Sequence, residues 1–228
     1  CETLANRLKG IGAHLLQCDV SDAKVADGKV IGPNGSVPIA DIAYSWYRLP
    51  QDLPDDVAPE GLEVTQGYKP ERDSGTFSYA AHACIVAIDT EIGEVEILDY
   101  VIIEDGGVLI NPMVVDGQVY GGTAQGLGTA LYEEMVYDEN GQPLSTTLGD
   151  YLLPSAVEMP PIRIDHMETP SPYTRFGQKG LGEGGAIGPP AAIANAINDA
   201  LKDLGVTVDR LPMAPARLFE LIRAAGGK

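Results

Sequence analysis

Positive charge is what this sequence has least of. Of 228 residues only 15 are Lys or Arg against 33 Asp or Glu, a formal net charge of −18 at pH 7. Such a chain repels a phosphate backbone, so nucleic acid is not an expected partner. Cysteine and histidine are nearly as scarce: Cys1, Cys18 and Cys84, and His14, His82 and His166, stand far apart. Neither set has the close pairing of a zinc knuckle, so no metal centre ligated by protein side chains is expected. Cys84, inside the apolar run ACIVAI, reads as a small core residue. No apolar run reaches the roughly 18 to 20 residues of a membrane span. Residues 1–10 also lack the charged-then-apolar order of a signal peptide, so the expectation is a cytoplasmic protein with no membrane partner.

What the chain does have is enough apolar material, 44% of its residues, for one or two cores. Leu4, Leu8, Ile11 and Leu15 recur at helical spacing from almost the first residue, with no capping residue before them and no initiator methionine. That start reads as the continuation of a preceding segment. Asp27-Gly28 makes a turn between two short β-prone runs, and PIADIAYSWYR has the spacing of a short helix opening at Pro38. Residues 49–61, with Pro50, Pro54 and Pro59 among four acids, read as an exposed connection, with an acidic recognition loop as the weaker alternative.

From Phe77 the pattern turns to β. FSYAAHACIVAID, a turn at TEIG and EVEILDYVIIED predict a long hairpin. INP at 110–112 then stops the strand, and Val115, Val119, Leu127 and Leu131 mark a helix. Gly117, Gly121, Gly122, Gly126 and Gly128 fall inside it, each costing about 1 kcal/mol against alanine. Something must pack close to that backbone, either another helix or a flat ligand near Gln125. Strands are expected around Asn140-Gly141 and in IRIDHMET. Helices are expected in PPAAIANAINDALKDLG, ending at Gly205, and in APARLFELIRAAG. Strands and helices in this order give an α+β fold.

The densest glycine cluster is GQKGLGEGGAIGPP, residues 177–190, with Glu183 as its one acid. A glycine-rich loop running into a helix near Pro189 exposes N–H groups that suit an anionic ligand. The Walker order is absent, and no buried strand plainly feeds the loop as a dinucleotide fingerprint requires. Taken alone, Glu183 is an acid placed favourably before a helix.

In order along the chain, INP, GQVYGG, QGLG, YEE and GQKGLGEGG resemble the molybdenum-binding subunit of the xanthine dehydrogenase and aldehyde oxidase family of molybdenum hydroxylases. CETLANRL is similar to the helix that follows that family's earlier cofactor-binding segment. The resemblance implies a fold of β-hairpins and glycine-rich helices around a cofactor site. Residues 1–62 would be an N-terminal helix and linker portion, and 63–228 the second molybdenum-cofactor-binding domain.

By the same resemblance Glu183 matches the catalytic glutamate and Gln125 a pterin-contacting glutamine. Gly126 and the backbone of Lys179, Gly180, Leu181, Gly182, Gly184 and Gly185 would line the cofactor. Molybdenum would be held by the pterin, in its cytosine dinucleotide form, with no protein ligand. Partners implied are a companion polypeptide or upstream segment carrying the first half of the site, an iron–sulfur subunit with 2Fe-2S clusters and an FAD subunit. The substrate would be a small molecule, an aldehyde or N-heteroaromatic, oxidised at carbon with water-derived oxygen. Gly184-Gly185 follows Glu183 where the carbon monoxide branch has Ser-Pro, which argues against carbon monoxide. The benzoyl-CoA reductase loop is also unlike this one. Glu104 to Gly107 depart from the family's more usual DvG at a strand end. Two other readings stay open: a binding or structural module that has lost the chemistry, and an unrelated nucleotide-phosphate binder.

Overall fold

The computed structural model describes residues 1–69, 72 and 76–226. The chain divides into two compact units, Cys1–Lys69 and Pro70–Lys228. In the first, α1 (Glu2–Leu15) precedes β1 (Lys24–Ala26), β2 (Lys29–Gly32), β3 (Gly35–Pro38) and α2 (Ile39–Arg48). Its strands form a small antiparallel sheet in the order β1-β2-β3. The third strand is a difference from the sequence reading, which ended the β region at Gly32. Gly35, at φ +134°, opens β3 in a conformation that does not announce a strand. The apolar stripe of α1 closes the core, with Leu8 and Ile11 against Val30 and Ile42.

The second unit is built on β4 (Tyr79–Asp89) and β5 (Glu94–Asp105), joined by a tight turn and paired antiparallel. After β5 the chain enters α3 (Pro112–Leu131), where Asn111 caps the helix by accepting from the Val114 N–H at 3.3 Å and Pro112 takes the first turn. It returns as β6 (Ile162–Met167), which adds parallel to β5. The sheet order is therefore β4-β5-β6. A one-turn helix α4 (Gly184–Ile187), then α5 (Pro189–Leu201) and α6 (Pro215–Ala224), complete the unit. Gly205 ends the extended turn after α5 at φ +68°, as its position suggested. Tyr100 and Ile102 of β5, Val119 and Leu127 of α3, Ile193 and Ile197 of α5 and Leu218 of α6 make the core.

The Asn140-Gly141 turn forms, but its flanks do not extend into strands. Only an isolated bridge joins Tyr137 to Pro143, flanked by Asp138 N–H donating to Gln142 O at 3.0 Å and Leu144 N–H to Val136 O at 2.7 Å. Among the described residues no helix is long and apolar enough to cross a membrane.

Candidate functional site

Residues 177–190 are held at both ends and open in the middle. At the near end Gly177, at φ +78°, accepts at its carbonyl from the N–H groups of Val108 and Ser171. Lys179 N–H donates to Gly106 O at 2.8 Å. At the far end α4 lies directly on α3. A Cβ on Gly185 would stand 2.5 Å from Val119 O, and one on Gly122 would stand 2.9 Å from Ala186 N. A Cβ on Gly126 would meet Ala186 O at 2.8 Å. Backbone touches backbone here, which only glycine permits on both sides. The neighbour of the glycine-rich helix at 122 and 126 is thus this loop, whereas Gly117 and Gly121 face nothing within 4 Å.

Between the two anchors, Gly180 and Gly182 have nothing within 4 Å of an added Cβ. The N–H groups of residues 180–183 donate to no other described residue. Glu183 caps α4 by position without a side-chain bond and is exposed, as is Gln125 next to Gly126. Gly126 and Gly185 are brought together as packing partners, Gly184 follows Glu183 into α4, and Leu181 turns in beneath Gly106. Lys179 is spent inside the protein. Its Nζ donates to Asp105 Oδ1 at 3.0 Å with the side chain almost wholly buried, and it lies over the Tyr79 ring.

Asp105 also accepts from Tyr79 Oη–H and from the Gly107 N–H, both at 2.9 Å. Burial alone would raise its carboxyl, but the hydrogen bonds from Thr169, Gly107 and Lys179 hold it well below the usual carboxylate range. This locks the end of β5 to the start of the open loop.

The polar groups under the loop escaped the sequence reading. Glu104, beside Asp105, is 2% exposed and its oxygens accept no hydrogen bond from the described residues. With His82 and Gly184 it lines a cavity of about 300 Å³. His82 Nδ1 lies 3.1 Å from Tyr100 Oη, and its ring sits where a Cβ on Gly188 would fall. Across β6, His166 Nδ1 is 3.6 Å from Glu104 Oε1, and His166 Nε2 bonds Asp116 Oδ1 at 2.7 Å. The available signal was phase: Tyr100 and Ile102 point into the core, and Glu104 is next on the same face of β5. A larger concavity of about 730 Å³, near the β4–β5 turn and Tyr132, contains none of the expected site residues.

An exposed ledge of unspent N–H groups, a free amide side chain and one exposed carboxylate suit a large ligand rich in acceptors and donors. They offer no cluster of ligands to a bare ion. A family model described as a molybdopterin cofactor-binding domain matches residues 1–160. The nicotine 6-hydroxylase large subunit of Paenarthrobacter nicotinovorans is 39% identical over 98% of this chain and 27% of its own length. The carbon monoxide dehydrogenase large chain of Hydrogenophaga pseudoflava is 34% identical over 95% of this chain, again 27% of its own length. Quinoline 2-oxidoreductase from Pseudomonas putida 86 superposes with a TM-score of 0.81 at 38% identity, covering 97% of this chain and 28% of that one. The chain thus spans about a quarter of the length of these relatives.

Proposed function

Because this chain belongs to the molybdopterin cofactor-binding domain family, we propose that it is part of the catalytic subunit of a molybdenum hydroxylase. The reaction is oxidation of a carbon in a small N-heteroaromatic or aldehyde substrate with oxygen derived from water. The observation that carries this reading is the open loop 180–183, whose N–H groups are unspent and whose last residue presents an exposed carboxylate. Two relatives are named for nicotine and quinoline, both N-heteroaromatic, which favours that class.

The cofactor, when bound, supplies the electron acceptance and oxygen delivery that no side chain can. Gln125 and the backbone of Gly180, Leu181, Gly182 and Gly184 would hold it through hydrogen bonds. Gly126 and Gly185 act indirectly, by letting α3 and the loop approach to backbone contact. Lys179 fixes the loop's entry through Asp105. Glu183 is the general base: a carboxylate oxygen accepts a proton as the new carbon–oxygen bond forms, work worth roughly a hundred to ten thousand fold in rate. The cytosine dinucleotide form of the pterin, 2Fe-2S clusters and FAD on companion subunits complete the proposed enzyme. The names "large subunit" and "large chain" among its relatives support companions of some kind.

The test is Glu183→Gln in the complete enzyme. Molybdenum and pterin content should stay at the parent level while kcat falls at least about a hundredfold. Parent-level turnover at full occupancy would remove Glu183 as the base. An emptied site would make its role structural.

A further inference from the structure

Only the second half of β5 has a strand on each side. β4 pairs with it from Glu94 to Asp105, but β6 joins only at Tyr100, opposite Ile162. Among the described residues the backbone of 94–98 makes no hydrogen bond on the side away from β4. Such an edge is a template for another strand. The stretch before β6 does not fill the place. Pro160 and Pro161 have no N–H for a ladder, and Ser155 turns the chain aside, its N–H donating to Glu158 Oε2 at 2.7 Å.

What remains between the start of β5 and residues 157–161 is the groove of about 730 Å³. Val95 and Ile97 belong to the face that packs on the core, and with Leu131, Tyr132 and Met159 they give the groove an apolar floor. Glu94 and Glu96 alternate with them and point to the opposite, exposed face. A second concavity, of about 370 Å³, continues from Glu94 and Tyr132 to Ile92 and Met213. Asp89, Glu94, Glu96 and Glu158 border the two, and no Lys or Arg does. None of these four acids forms an ion pair with a described residue. Their charge is left for an occupant to balance.

We propose that this groove docks an extended segment of a companion subunit, added to the free edge of β5 as a strand, in which apolar residues alternate with Lys or Arg. The apolar side chains share the face of Val95 and Ile97, and the cations share the face of Glu94 and Glu96. Main-chain hydrogen bonds to the edge supply affinity, and the two unlike faces select the partner. The proposal rests on the enzyme having companions, as the proposed function requires. A second copy of this chain is the wrong occupant, because at a net charge of −18 it brings acid to acid. The substrate is the wrong occupant too. A strand rises about 3.3 Å per residue, so Glu96 and Glu104 stand roughly 25 Å apart along β5, and the groove lies at the far end of that strand from the open loop.

The experiment uses the complete enzyme with its companions. A photo-crosslinking benzophenone residue in place of Val157, which is 89% exposed, should join this subunit to a companion, and the captured peptide should alternate apolar residues with Lys or Arg. Glu94→Lys combined with Glu96→Lys, both at exposed positions, should weaken companion binding about tenfold or more while molybdenum and pterin content stay at the parent level. Raising the salt concentration should loosen the companion from the parent and change the variant far less. If the charge reversal does not fold, Glu94→Gln with Glu96→Gln makes the same comparison, with a several-fold loss expected. A crosslink found only within the same polypeptide or to a second copy overturns the proposal, as does companion binding within twofold of the parent in the double variant. Either result leaves the proposed reaction in place. An enzyme that turns over with no companion removes the companions and this docking together.

Discussion

Glu104 and Asp105 are adjacent carboxyls at the buried end of β5 and meet opposite treatment. Asp105 gains enough donors to overcome its burial, so its folded pKa lies below its unfolded value of about 3.9. The stability it adds is therefore complete above the ordinary carboxylate range and fades as pH falls through the folded value. Lys179→Met should leave that carboxylate buried without its charge partner at a cost of roughly 3–5 kcal/mol, read as a lower denaturant midpoint. Its acid unfolding should also move to higher pH. His82 gives the same sign from the other direction. Burial lowers its pKa, so its share of stability is present above about 6.5 and lost on acidification. At Gln125, Gln125→Ala should strip molybdenum and pterin from the complete enzyme while activity per bound molybdenum changes little. Unaltered occupancy would make it an ordinary helix residue. Glu134→Gln serves as the control for Glu183, because Glu134 is engaged by Arg217 at 3.2 Å and should be dispensable for turnover.

Between elements, the contact of α3 with α4 sets what the glycines tolerate. Gly185→Ala puts a methyl into Val119 O and should cost roughly 1–3 kcal/mol in thermal unfolding. Gly117→Ala meets nothing within 4 Å in a helix interior and should gain about 0.5–1 kcal/mol. Equal shifts for the two would contradict this packing. The hairpin, α3 and α5 were legible in the sequence because alternation and 3.6-residue spacing report burial directly. The β6 strand was legible as a strand but not as a parallel partner, since its direction depends on α3 crossing over the sheet. The glycines of α3 announced a close neighbour without saying whether it was polypeptide. His82 and His166 read as scattered because register, not spacing, brings them to either side of Glu104.

For the whole molecule, a chain with about a quarter of its relatives' length presents Ile85, Leu98 and Met167 to solvent on the β4-β5-β6 sheet. If the proposed function holds, the complete enzyme should contain stoichiometric molybdenum and pterin and absorb as iron–sulfur and flavin. A colourless active preparation would rule out that electron path. The sheet has one further consequence, in time. The β4–β5 hairpin closes through a turn of a few residues and can form in microseconds. The β6 strand has to wait until α3 and the long stretch to Ile162 have been laid down, and pairings of that kind are slow. Glu104 and His166 are direct register partners in this late pairing. In pulse-labelled refolding, amides of β4 and the facing edge of β5 should gain protection first, with β6 following. The carboxyl–imidazole contact would be among the last parts of the molecule to exist.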